Sequence, residues 1–99
     1  MTYIKVKWLH SSTDYPVLLY SELDADRWET RKVEVYADGR VDFADQQEQS
    51  GKTELGIVPV PPLEEIAADS EFEPEMISAE EFQSVWKQAK VKSTKGVAG

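Results

Sequence analysis

His10 is the only imidazole in the chain, and Ser11, Ser12, Thr13 and Asp14 follow it directly. Imidazole, hydroxyl and carboxylate are the ingredients of a nucleophilic triad. A triad needs groups that converge in space beside an oxyanion hole, not neighbours in one short stretch. No Gly-x-Ser-x-Gly elbow is present to expose a serine at a strand–helix turn. The stretch reads as a loop, and no catalytic residue is assigned. Glu22, Asp24 and Asp26 stand two apart. An extended chain would place them on one face, where a hard cation could take their oxygens. The glycine and further acids of an EF-hand loop are missing, Asp24 suits a turn, and Arg27 offsets the charge. No metal is assigned. Gly51-Lys52-Thr53 has the ending of a phosphate-binding loop, but that loop's upstream glycine is absent.

Two constellations point to binding instead. The first is basic. Arg27, Arg31 and Lys32 alternate with Glu29 and Glu34 around Trp28. Cationic groups beside an indole could hold an anion and stack a ring, so these residues define a small-ligand or nucleotide site. The competing reading is a solvated strand laced with cross-strand ion pairs, each of which contributes little. The second constellation is acidic. Residues 53–86 hold nine Asp or Glu and no Lys or Arg, while residues 87–99 hold four lysines. Within the acidic stretch, Glu64, Glu65, Asp69, Glu71, Glu73 and Glu75 form the candidate partner surface. Their field would attract Lys and Arg, speed encounter and repel nucleic acid. A plainly solvated face has the same composition. Trp28, the tryptophan least committed to a core face, joins the partner surface as an aromatic anchor.

The rest of the composition narrows the field. The chain has 99 residues, a net charge of −8 and no cysteine. Disulfide scaffolds, thiol nucleophiles and thiolate zinc sites are excluded, and direct nucleic-acid binding is disfavoured. No cofactor is implied. The N-terminus alternates lysine with apolar residues and has no signal-peptide core. The longest apolar run, Val17 to Tyr20, is far short of the roughly 20 residues that span a bilayer. A cytoplasmic location without membrane contact is expected.

The elements that must position these residues follow from periodicity. Tyr3 to Leu9 alternates, with Ile4, Val6 and Trp8 on one face. Pro16 to Leu23 is a second strand, central because Val17 to Tyr20 is continuously apolar. Arg27 to Tyr36 is a third and Arg40 to Ala44 a fourth. Val33 and Val35 share the parity of Glu29 and Arg31, while Trp28 shares that of Lys32 and Glu34. So either a bulge lies near Thr30 or one end of the strand leaves the core. A three-residue loop at Ala37-Asp38-Gly39 sets Val35 opposite Val41 and Val33 opposite Phe43, with Gly39 left-handed. A two-residue loop would mix apolar and charged partners. Asp45 to Thr53 is polar and reads as a mobile loop. Glu54 to Val60 is the place for a short fifth strand. Val58 to Pro62 is extended by its prolines and packs on the protein's own core. Pro62 opens a short helix that turns Leu63, Ile66 and Ala67 inward. Ser78 and Glu81 make a capping box, Ile77 and Phe82 a hydrophobic staple, and Phe82, Val85, Trp86 and Ala89 one apolar stripe.

The fold class is therefore α+β: an antiparallel four- to five-stranded sheet covered on one face by a C-terminal helix and a short preceding helix. Residues 1–90 form a single domain and 91–99 a flexible tail.

Several segments carry a resemblance. Tyr3-Ile4-Lys5-Val6 with Trp8 and His10, Pro16 to Asp24, Arg27-Trp28-Glu29, Arg31 to Val35, Thr53 to Gly56 and Pro59 to Ile66 resemble a family of short uncharacterised bacterial proteins. The likeness covers residues 2–90. It implies a bacterial or phage origin and a compact domain, and it transfers no activity. The functional expectation is a small acidic protein-binding module without catalysis. It would be an immunity-type or inhibitor protein directed at a basic partner such as a toxin or nuclease.

Overall fold

The computed structural model describes residues 1–98, with side-chain surroundings through Lys92. Five strands form one antiparallel sheet: β1 (Thr2–Trp8), β2 (Leu18–Leu23), β3 (Glu29–Val35), β4 (Val41–Asp45) and β5 (Phe72–Met76). Their order is β4-β3-β2-β1-β5, so the most apolar strand is the middle one. A short helix, α1 (Leu63–Ala67), precedes β5, and a long one, α2 (Ala79–Ala98), closes the chain.

The two helices lie on opposite faces of the sheet. Ile4 pairs with Ser21 and Val6 with Leu19, while Lys5 pairs with Tyr20, Tyr20 with Val33 and Val33 with Phe43. Side chains alternate across a strand, so these sets face opposite ways. Tyr20, Val33 and Phe43 pack against Phe82, Trp86 and Ala89 of α2. Ile4, Val6 and Leu23 pack against Leu63 and Ile66 of α1, with Val60 and Phe72. The α+β architecture is the expected one, but the expected sharing of a single face is not. The physical reason lies in β1, whose apolar residues have the parity opposite to the valines of β3. Each set needs its own cover.

The β3–β4 hairpin has the expected register, Val35 opposite Val41 and Val33 opposite Phe43. Tyr36 donates to the Arg40 carbonyl at 2.9 Å, and Gly39 has φ +90. The β2–β3 hairpin repeats this loop. Asp24 donates to the Trp28 carbonyl at 3.0 Å, and the left-handed place is taken by Arg27 at φ 68. Asp24 Oδ1 holds the turn by accepting from the N–H groups of Asp26 and Trp28. Beyond it, Glu22 pairs with Arg31 but Leu23 with Glu29. Thr30 is thus the extra residue of a bulge.

The fifth strand is not Glu54 to Val60 but Phe72–Met76. Leu9 donates to the Glu71 carbonyl and Ile77 to the Tyr3 carbonyl. Bonded pairs alternate, so Pro74, opposite Val6, turns its missing N–H to the free edge, where proline is tolerated. The Phe72 N–H, facing the same way, donates to the Asp69 carbonyl at 3.0 Å. At the other edge, the Asp45–Ser50 loop folds back on β4. Phe43 donates to Ser50 Oγ, Ser50 donates to the Phe43 carbonyl, and Asp45 donates to the Glu48 carbonyl. The loop expected to be mobile covers an edge instead.

In α2, the Glu81 N–H donates to Ser78 Oγ at 3.0 Å, as the capping box requires. Ile77 and Phe82 join the same core. The helix backbone continues to Ala98, through the stretch expected as a tail from Val91. No proline interrupts this stretch. Gly99 lies outside the described residues.

A β-branched residue in the left-handed region is strained even where there is room for it, and at Gly39 there is room. Gly39→Val is expected to cost about 1–2 kcal/mol. For a domain of this size that lowers the melting temperature by roughly 4 °C or more. An unchanged thermal melt would contradict the register.

Candidate functional site

The charged residues of β3 are buried or half-buried rather than exposed. On the α1 face they hold down a strap, residues 53–61, that crosses the sheet without being a strand. Thr53, fully buried, donates to Glu34 Oε1 at 2.5 Å. Lys32 Nζ donates to the Glu54 carbonyl at 3.1 Å. The Gly56 N–H donates to Glu29 Oε1 at 2.6 Å. Arg27 closes the row: its carbonyl accepts from the Val60 N–H, and its guanidinium donates to the Val60 and Pro61 carbonyls at 2.8 and 2.9 Å. Glu34 and Lys32 share a face by simple alternation. Glu29 joins them because the Thr30 bulge shifts its parity. A strap with two prolines among Val58 to Pro61 cannot build a ladder, so side chains supply its partners.

Glu29 is the centre of this arrangement. Its carboxylate accepts from Ser21 Oγ at 2.7 Å as well as from Gly56, and it lies 3.2 Å from Lys32 Nζ. The side chains of Glu29 and Lys32 are 6% and 15% exposed. An unpaired carboxylate there would be costly; this one is compensated by a charge and two hydrogen bonds.

Between strap, sheet and α1 lies an open cavity of about 330 Å³. Ile4, Val6 and Leu19 of the sheet line it, together with Val60 of the strap, Ile66 of α1 and Phe72 of β5. Glu65 and Asp69 of the α1 segment also line it, and both are exposed. The result is a largely apolar hollow with the paired Glu29 and Lys32 in its wall and the exposed carboxylates of Glu65 and Asp69 beside it.

The opposite face holds a second polar cluster under α2. Arg31 meets Glu22 in a two-pronged pair, Nη2 to Oε2 at 2.6 Å and Nε to Oε1 at 2.9 Å. It also donates to Gln83 Oε1 and lies over the rings of Phe82 and Trp86. The hydrogen bonds from Arg31 hold the Glu22 carboxyl below its ordinary range, and the same bonds push Arg31 up. Burial, then the nearby Glu22 charge, pushes the Tyr3 phenol up.

Over residues 2–91 the chain matches the family model described as Domain of unknown function (DUF6881). The chain belongs to the DUF6881 family. No curated protein and no solved structure matches it.

The geometry of this DUF6881 domain sorts the residues singled out in the sequence. Arg27, Arg31 and Lys32 are not brought together. Arg27 holds the strap, Arg31 lies under α2, and Lys32 is on the other face against Glu29. The anion-binding edge expected of them is dismantled by the bulge and by internal partners. Trp28 is 41% exposed. The six acids also divide. Glu65 and Asp69 line the cavity, with Glu64 beside them on α1. Glu71 accepts from Trp8 Nε1 at 3.1 Å. Glu73 and Glu75 stand opposite Lys7 and Lys5 on the α2 side, and Glu75 lies 3.9 Å from Lys5. They are thus partly answered by cations of β1. Glu22, Asp24 and Asp26 do not converge: Glu22 is bonded to Arg31, and Asp24 caps its own turn.

His10 holds a loop. Its Nε2 lies 2.8 Å from the Pro16 carbonyl, and Nδ1 accepts from the Ser12 N–H at 3.1 Å. Trp8 and Tyr15 pack around its ring. Among the described residues, no helix is long and apolar enough to cross a membrane. Val58 to Pro62 was expected to lie extended on the core, and Val60 packs there; the polar anchoring of the strap and the cavity beside it were not foreseen. The signal was present in the shared parity of Lys32 and Glu34, and in a bulge that brings Glu29 to the same side.

Two outcomes are expected. Glu29→Ala should cost about 3 kcal/mol or more, because it strands Lys32 and the Gly56 N–H, whereas Glu29→Gln keeps an acceptor and should cost less. Chemical denaturation midpoints check this order; an alanine variant as stable as the parent would remove Glu29 as the anchor. Glu22 is depressed in the folded state, so its contribution is present above the ordinary carboxylate range and is lost as pH falls below about 4. Glu22→Gln should be less stable at neutral pH and show a shallower acid decline in thermal melts at pH 3 to 7.

Proposed function

We propose that this domain is a non-catalytic protein-binding module of the immunity or inhibitor type that engages a basic partner through the acidic surface of the α1 segment. The observation that carries the reading is the state of the carboxylates there. Glu64, Glu65, Asp69 and Glu71 are exposed and enter no ion pair among the described residues. Arg31 and Lys32 of β3 and Arg27 just before it are committed elsewhere, to Glu22, to Glu29 and to the strap. Uncompensated charge on one segment of a chain with net charge −8 sets up a field that raises encounter rates with cationic surfaces. A non-catalytic role is supported by His10, whose ring nitrogens are both engaged within its own loop, and by Glu22 and Glu29, each bound to a cation.

A pull-down at low ionic strength, followed by purification of the captured protein, tests the reading. The expected partner is cationic and is released as salt screens the exposed charges. A variant carrying Glu64→Gln, Glu65→Gln, Asp69→Asn and Glu71→Gln should bind it at least tenfold more weakly. A partner that is acidic, or one held equally by the variant, overturns the reading.

A further inference from the structure

We infer that the cavity between α1, the strap and the sheet is the anchor pocket of this surface, and that it receives one large apolar side chain of a basic polypeptide segment whose adjacent Lys or Arg reaches Glu65 and Asp69. The inference rests on the acidic-surface reading and adds to it a specific occupant.

The lining chooses the apolar part. Ile4, Val6, Leu19, Val60, Ile66 and Phe72 present hydrocarbon to a hollow of about 330 Å³. That is the low end of the range for small-ligand sites, about 300–1,000 Å³, and suits a single aromatic or branched side chain. The polar groups at its wall do not call for a ligand of their own. Glu29 is answered by Ser21, Gly56 and Lys32. Nothing there would reward a buried charge in the ligand, so the charged part of the occupant stays at the mouth. Glu65 of α1 and Asp69, just past the end of that helix, both line the cavity and are exposed. Charge complementarity therefore selects cationic residues next to the anchor. Binding hot spots have this form, with a large side chain filling a pocket inside a charged or polar rim. A polypeptide is favoured over a free amphipathic amine because the apolar surface does not stop at the cavity. Ile57 and Val58 of the strap, 89% and 65% exposed, lie just upstream of Val60 and offer contact to a chain running past the mouth.

The test uses the full chain labelled with ¹⁵N and four blocked peptides: Gly-Lys-Trp-Lys-Gly, Gly-Lys-Ala-Lys-Gly, Gly-Glu-Trp-Glu-Gly and Gly-Ser-Trp-Ser-Gly. The basic tryptophan peptide should shift the amides of Ile4, Val6, Leu19 and Ile66 on titration. The alanine peptide should bind about tenfold more weakly or worse, and the acidic peptide weaker still. Ile66→Trp, which fills the hollow and leaves every acid in place, should abolish the shifts at the sheet residues. Val60→Trp blocks the same hollow from the strap and serves if the first variant loses its dispersed spectrum. If both basic peptides bind equally and move only the amides of residues 64–71, the acidic surface stands and the anchor pocket falls. A neutral tryptophan peptide that binds as well as the basic one overturns the charge selection. No shift with either basic peptide at low salt overturns the inference and counts against the acidic-surface reading with it.

Discussion

A carboxylate removed from water in a domain this small has to be compensated completely, and the compensation of Glu29 organises one whole face of the protein. Its acceptors take the Ser21 hydroxyl from the neighbouring strand and the Gly56 N–H from the strap, and Lys32 supplies the charge. The same lysine then bonds the Glu54 carbonyl. One buried ion pair thereby ties β2, β3 and residues 54–56 together. The bulge at Thr30 is the backbone condition for this. Without the extra residue, Glu29 would point toward α2 and the strap would lose its central partner. Gly56 is the matching condition on the strap, since a Cβ there would lie 3.0 Å from Glu29 Oε1. A cavity can exist beside this pair because the strap is held by polar side chains at its ends and centre rather than by continuous packing.

The two faces answer the same sheet in different ways. On the α2 side an uninterrupted stripe of Phe82, Trp86 and Ala89 covers Tyr20, Val33 and Phe43. Burial of this kind scales with apolar area and leaves no hollow when the shapes match. Its polar cluster, Glu22 with Arg31, is roofed by aromatic rings and by Gln83. On the α1 side a five-residue helix and a proline-bearing strap must cover Ile4, Val6 and Leu23. They are too short to fill the space, and the remainder is the cavity.

The sequence made legible whatever depends on local pattern. The Ala37-Asp38-Gly39 loop could be chosen by asking which register puts valine opposite valine, and the capping box and apolar stripe placed α2. The bulge was recognisable as a parity conflict around Thr30. Three things were not legible. β5 was obscured by Pro74 and two glutamates, yet Phe72, Pro74 and Met76 alternate with Glu73 and Glu75 as an edge strand should. The division of the helices between two faces follows only when the parity of β1 is compared with that of β3 across a strand order unknown from sequence. The roles of Arg27, Lys32 and Glu34 depended on a partner segment 19 to 34 residues away. Charge alternation on a strand looks the same whether water or a strap receives it. For the acids, the missing knowledge was likewise the sheet order, which sets Glu73 and Glu75 against the β1 lysines and leaves the α1 group unanswered.

The treatment of the sheet edges decides what kind of recognition remains open to the domain. An exposed edge can add a partner's strand through backbone hydrogen bonds, with little demand on side chains. Here the β4 edge is bonded to its own Asp45–Ser50 loop. The β5 edge has lost one outward donor to Pro74 and commits another, the Phe72 N–H, to Asp69. Backbone pairing is thus disfavoured at both edges, which also limits self-association. The proposed recognition would then run through side chains. On the α1 segment those that are exposed and enter no ion pair among the described residues are carboxylates, and Glu65 and Asp69 line the apolar hollow. Under the proposed reading, negative charge would set which partners approach, and the neighbouring hollow which of them can dock. Both follow from a helix and a strap too short to finish covering the face that Glu29 organises.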